Sequence, residues 1–340
     1  MFEKFFTSRK KVHCSEELSK NLPIPKNFSE AFNQKHWDEL FSDNTPVSIF
    51  HPSIKWLALP DQQFIDYIIN KEQLGFDYLP PNKELYKKQP TFMISQIHRL
   101  WVTTKLILHI MENRKDFSIL DVGAFPFSIE IILRDYLKFQ GNIYVTTNRK
   151  LKDSWIKELK DRNIEIHYVN LDPFVKPGVE SLNMKDHIDL ADNSIDLAIS
   201  THVIEHLYHP YTMFNDINRL LKPNGRLLVT TDNAFMLSTV LNLCNLNDWI
   251  HEPIEDTAAM KFNQWRAHNR FFSHSDIKVL LEKSEFTVLQ TEYYEIFYNS
   301  FSDDFFNNPI TTLPKWKADI LTWIPGYRNE IAVIAQKSAS

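Results

Sequence analysis

Ser118-Ile-Leu-Asp-Val-Gly-Ala-Phe-Pro-Phe-Ser128 is the stretch whose reading decides the fold. Ile119, Leu120 and Val122 make a short apolar run around a carboxylate, Asp121, and Gly123 then bends the chain. Beyond the bend, Ile129, Leu133 and Tyr136 recur at i, i+4 and i+7, one face of a helix. Buried strand, tight turn and helix are the opening half of a βαβ unit. Such a turn sets backbone N–H groups and a helix N-terminus at the carboxyl end of a strand, where open α/β sheets bind ligands. Glycine at 123 would allow a close approach of backbone to ligand that a Cβ would block. The chain has only 6 Gly, so one placed just past a strand carboxylate is informative, although a plain α/β turn can look the same.

Working outward, strands and helices alternate. Asn142–Thr147 is expected as a second strand, residues 151–162 as a helix, and 164–171 as a third strand ending at Asp172. After a loop at 173–187 with Pro173, Pro177 and Gly178, residues 195–200 form a fourth strand. The next helix carries Phe214, Ile217 and Leu221 on its apolar face, Pro223-Asn224-Gly225 turns the chain, and 226–231 form a fifth strand. Ser273 with Asp276 three residues on reads as a capping box, and 286–290 and 330–336 as two last strands. The last has no evident helical crossover before it. The result is an α/β, doubly wound, mostly parallel seven-stranded sheet. Residues 1–90, cut by prolines but rich in aromatics, read as a mostly helical N-terminal extension, and 91–340 as the main domain. Within it, 235–270 reads as a lid or insertion and 299–328 as a C-terminal cover.

Composition excludes several classes. With 43% hydrophobic and 13% aromatic residues the chain can bury a large core. A net charge of -5 gives no basis for a general nucleic-acid binder. Two cysteines, Cys14 and Cys244, supply neither a disulfide framework nor a zinc set, as in a reduced, cytoplasmic protein. The N-terminus shows no basic segment followed by an apolar core, and no apolar run approaches the ~20 residues of a membrane span.

The strand ends share one crevice: Asp121 and Gly123, then Thr147 and Asn148, Asp172, Thr201 and His202, and Asp232 with Asn233. Here a resemblance enters. Ser118-Ile-Leu-Asp-Val-Gly and the block Asp192-Asn-Ser-Ile-Asp-Leu-Ala-Ile-Ser-Thr-His-Val-Ile-Glu-His-Leu207 resemble class I S-adenosylmethionine-dependent methyltransferases, of the type 11-like kind. Leu221-Lys-Pro-Asn-Gly-Arg-Leu-Leu-Val-Thr-Thr231 and His268-Asn-Arg-Phe-Phe-Ser273 extend the likeness over roughly 117–290 plus the final strand. It implies a Rossmann-like methyltransferase fold and S-adenosylmethionine as cofactor. Gly123, Ala124 and Phe125 would sit against its methionine part, with Asp121 ordering the loop. Asn148 would meet the ribose in place of the family's usual acid, Leu171 and Asp172 the adenine, and Thr201 the methionine portion. The family's second loop glycine is replaced by Phe125-Pro126.

Transfer to a hydroxyl needs an aligned acceptor and a base. His202, His206 and His268 are the catalytic candidates, with His202 first because it ends the fourth strand. The plainer reading of His206 is packing against the sheet. His202, Glu205 and His206 share one helical face, as two-His-plus-carboxylate metal sites do, yet Glu-His-Leu here is common in methyltransferases without metal, so no metal is expected. Trp265, Arg266 and Arg270 can bind a sugar face, or pack. The acceptor expected is a small molecule or saccharide rather than nucleic acid. The alternatives are an inactive methyltransferase-like binding or scaffold module, and a nicotinamide oxidoreductase, which the missing second-strand acid and the Gly-poor turn disfavour.

Overall fold

Strands buried on both faces read as near-continuous apolar runs, and the centre of the sheet has this character. β1 (Ser118–Asp121) is buried at every position and β4 (Ile195–Thr201) at five of seven. In the computed structural model, which describes residues 60–70, 96–112, 114, 116–172, 184–245, 268–296 and 314–338, these two strands pair in parallel. β2 (Asn142–Thr147) and β3 (Ile164–Tyr168) extend the sheet on one side of β1, and β5 (Leu221–Asp232) continues it beyond β4. β7 (Glu330–Lys337) then runs antiparallel between β5 and β6 (Phe286–Tyr294), giving the order β3-β2-β1-β4-β5-β7-β6. The strand order departs in opposite directions from β1 and β4, so the crevice beyond their carboxyl ends is the topological switch point.

The helices follow their apolar spacing. α1 (Gln62–Asn70) lies in the expected N-terminal extension, and α2 (Ile97–Met111) leads to β1. Phe64 of α1 is fully buried, its ring 5.0 Å from Trp101 and 5.5 Å from Tyr136. α3 (Ser128–Ile131) continues as a π-helical turn through Ile132–Tyr136, and α4 (Asp153–Asp161) precedes β3. α5 (Pro210–Leu220) buries Met213, Phe214, Ile217 and Leu220 in the core shared with Leu120, Ala198 and Val229. α6 (Leu237–Asn245) follows β5, and α7 (His274–Lys283) opens with the expected capping box, Ser273 and Asp276 bonding each other's backbone N–H.

Two local readings change. Lys222-Pro-Asn-Gly225 lies inside β5 as a bulge, because Ile195 pairs with Leu221 and Leu197 already with Arg226. A helix, α8 (Lys315–Trp323), does stand between β6 and β7, although the strands pair antiparallel. Most of 1–90, the loop 173–183, the lid residues 246–267 and the cover residues 297–313 lie outside the described residues. No helix among the described residues is long and apolar enough to cross a membrane.

Candidate active site

The turn after β1 is clasped to β2. Gly123 N–H donates to Thr146 Oγ1 at 2.9 Å, Ala124 N–H to the Thr146 carbonyl at 3.1 Å, and Phe127 N–H closes the turn onto the Ala124 carbonyl at 2.6 Å. Gly123 adopts φ +80°, and a Cβ there would stand 2.7 Å from Val203 Cγ2. The close approach that glycine permits is therefore to the chain after β4. Phe125 is half-buried against Phe127 and Trp155, with the Arg149 guanidinium 4.7 Å over its ring. Beneath the turn, Asp121 and Glu130 face each other, both buried. Burial pushes Asp121 up to about 6; burial and the Asp121 charge push Glu130 well above the carboxylate range, so the pair holds a proton.

A second group of charges gathers where β4, β5 and β7 meet. His202, at φ 52° directly after β4, sits between two fully buried glutamates. Its Nδ1 is 3.1 Å from Glu205 Oε1 and its Nε2 is 3.0 Å from Glu330 Oε2. Arg99 of α2 holds the other Glu330 oxygen at 2.9 Å, and the Thr231 hydroxyl donates to Glu205 Oε2 at 3.0 Å. Burial and the Arg99 charge oppose protonation of His202, but the two glutamates outweigh them and raise it to about 10. Burial would raise Glu205, yet its bond to His202 draws it down to about 2. Asp232, ending β5, lies 3.9 Å from Nδ1 of both His202 and His268. Burial and the neighbouring Glu330 charge raise it to about 6.

His268 is 62 residues beyond His206 in sequence, and backbone bonding brings them together. Asn269 N–H donates to the Glu205 carbonyl at 2.7 Å and its side chain to the His206 carbonyl at 2.9 Å, while Arg270 reaches the Tyr208 carbonyl at 3.1 Å. The His206 and His268 rings end 4.6 Å apart.

Residues 152–291 match a family model described as a methyltransferase domain. That part of the chain is similar to methyltransferase domains. No curated protein matches the chain in sequence. Similar solved structures include an S-adenosylmethionine-dependent methyltransferase from Aquifex aeolicus, 12% identical over 69% of this chain and 89% of that one, with a TM-score of 0.42. Another is from Mesorhizobium loti, 14% identical over 69% and 96% of the two chains, at 0.43. A phosphoethanolamine N-methyltransferase 2 from Haemonchus contortus, in complex with S-adenosyl-L-methionine, is 15% identical over 70% and 53%, at 0.43.

S-adenosylmethionine, the cofactor that the sequence resemblance implies, carries a sulfonium and an ammonium, and the strand ends hold groups that fit it. Asp121 is buried at the β1 end beside Glu130, with which it shares a hydrogen bond, and the negative charge of the pair suits a cationic amine. Thr201 and the turn 123–125 flank the same strand ends, and Asn148 is exposed just past β2. Leu171 packs on the core edge. Asp172 is fully buried, and its oxygens accept from Tyr208 N–H at 2.9 Å and His209 N–H at 3.1 Å. It fastens the start of α5.

His202 is paired within the chain. Its two glutamates favour the imidazolium, which disfavours a base at this position near neutral pH. Glu205, His206 and His268, and likewise His202, Glu205 and Asp232, place atoms able to ligate a metal within 4.8 Å of one another. In both groups Glu205 is already committed to His202 and Thr231, so its charge is neutralised within the protein. Reading the sequence missed Glu130, Arg99 and Glu330. A glutamate heading the apolar strand Glu330-Ile-Ala-Val-Ile-Ala335 was the available signal.

Proposed function

We propose that the domain transfers the cofactor's methyl group to a hydroxyl of a saccharide or small-molecule acceptor. The carrying observation is that the anionic β1 end and the His206–His268–Asp232 group border one switch-point crevice. When bound, the cofactor supplies an electrophilic methyl on a cationic sulfur. Asp121 would hold its amine, the turn 123–125 and Thr201 its methionine part, Asn148 its ribose and Leu171 its adenine edge. His206 and His268 would line the acceptor side, where paired imidazoles and carboxylates suit hydroxyl-rich ligands. Net charge -5 argues against a nucleic-acid acceptor, and two cysteines suit the cytoplasm.

Labelled methyl donor incubated with monosaccharides, phenols and simple amines tests this reading. Label on a sugar or phenol oxygen is the expected result; label on amines alone overturns the hydroxyl assignment. Phe125, bulky and stacked within the turn, favours a second reading, a module that binds the cofactor without turnover. Micromolar binding with no product from any acceptor in the panel selects it.

A further inference from the structure

The three carboxylates around His202 differ in access. The side chains of Glu205 and Glu330 are 0% exposed, whereas Asp232 keeps 16% of its side chain open. Asp232 lies opposite Glu330 in the β5–β7 ladder, at the strand end that borders the crevice. Its Oδ2 stands 3.9 Å from His202 and 3.9 Å from His268, beyond hydrogen-bond reach, so its lone pairs remain available to a ligand. His268, 21% exposed, stands on the same open side. We infer that Asp232 accepts the proton of the acceptor hydroxyl, and that His202, locked by Glu205 and Glu330, is the positioning residue that fixes its charge. The inference rests on the proposed methyl transfer to oxygen.

In the step, the acceptor O–H bond breaks and its proton passes to the Asp232 carboxylate. The electron pair left on oxygen forms the new bond to the methyl carbon, and the pair of the broken S–C bond returns to sulfur. Charge balances: one carboxylate anion and one sulfonium are consumed, giving a carboxylic acid and a neutral thioether. The protonated Asp232 then loses its proton through its open face. A base is most effective when it titrates close to the working pH. The groups facing Asp232 are His202 and Glu205 from the turn after β4, Glu330 from β7, Arg99 from α2 and His268. Glu330 and Glu205 raise it and His202 and Arg99 lower it, so removing the imidazolium leaves only Arg99 to oppose the anions.

The test uses full-length protein, labelled with 13C at the aspartate side-chain carboxyls and loaded with S-adenosylhomocysteine, titrated by NMR. D232N assigns the resonance. We expect a wild-type midpoint near 6, moved upward by about one pH unit or more in H202N and back in H202K. Asparagine tolerates the left-handed backbone at 202. A midpoint in the ordinary range of about 4, or one unmoved by H202N, overturns the inference. On any sugar or phenol of the panel that accepts methyl, D232N should lower kcat about 100-fold or more, with S-adenosylhomocysteine affinity retained. A loss under about tenfold overturns the assignment. Should D232N lose that affinity, D232E, which keeps the carboxylate, must restore turnover above D232N for the inference to stand. A panel that yields no methylated product counts against the proposed function, while the titration still decides the state of Asp232.

Discussion

Gly123 meets two demands at once, a left-handed φ of 80° and a Val203 methyl 2.7 Å from where a Cβ would lie. G123A should therefore cost about 1–3 kcal/mol in urea unfolding and weaken cofactor binding measured by calorimetry. Retained stability with unchanged affinity would mean that the turn relaxes without consequence. The pair beneath it makes a pH prediction. A folded-state pKa raised above the unfolded value favours the fold at low pH, and that contribution is lost as pH rises through the folded value. For Asp121 the window runs from 3.8 to about 6. E130Q removes one buried carboxyl and can donate to Asp121, so it should gain about 1 kcal/mol above pH 7 and little below pH 4. At this scale the places of Gly123 and Asp121 at the β1 end were legible, because each follows a strand or sits in a motif. The partners that Asp172 and His202 take within the chain were not. A strand-end position shows that a side chain reaches the crevice edge, not whether a backbone N–H or a distant glutamate occupies it.

Between elements, the β1–β4 pair is stapled at its amino end by one carboxylate. Asp196 accepts from Ser118 N–H at 2.9 Å, Ser118 Oγ at 2.7 Å and Lys222 Nζ at 2.7 Å. D196A leaves the Ser118 N–H without its acceptor and should cost about 1–3 kcal/mol in equilibrium unfolding, without altering cofactor affinity, since the staple lies at the far edge from the crevice. At the other edge, Glu330 of β7 bonds Arg99 of α2 and His202, directly after β4. E330A removes the carboxylate that Arg99 and His202 share and should cost about 3–5 kcal/mol, more than D196A. The strands and the capping box were legible from periodicity and side-chain offsets. The Pro-Asn-Gly bulge within β5 was not, since a turn and a bulge use the same residues and only the partner strand distinguishes them.

For the molecule as a whole, the buried network sets the pH range of stability. His202, raised from 6.5 to about 10, contributes fully below 6.5, and its contribution is lost as pH rises toward 10. Glu205, lowered from 4.5 to about 2, contributes above 4.5 and loses this as pH falls toward 2. Urea midpoints should fall from pH 7 to 10 in wild type, and H202N should flatten that limb. The doubly wound order was legible because helices alternate with apolar strands; the meeting of Arg99, His202, Asp232 and Glu330 was not, since 231 residues separate the ends of that set.

The most direct measurement is a crystal structure of the protein with S-adenosylmethionine. The account predicts the nucleotide across the carboxyl ends of β1 and β4, its amine on Asp121 and its methyl carbon turned toward Asp232 and His268. A nucleotide bound elsewhere, or a crevice filled by the Phe125 ring with Asp121 unengaged, would contradict it.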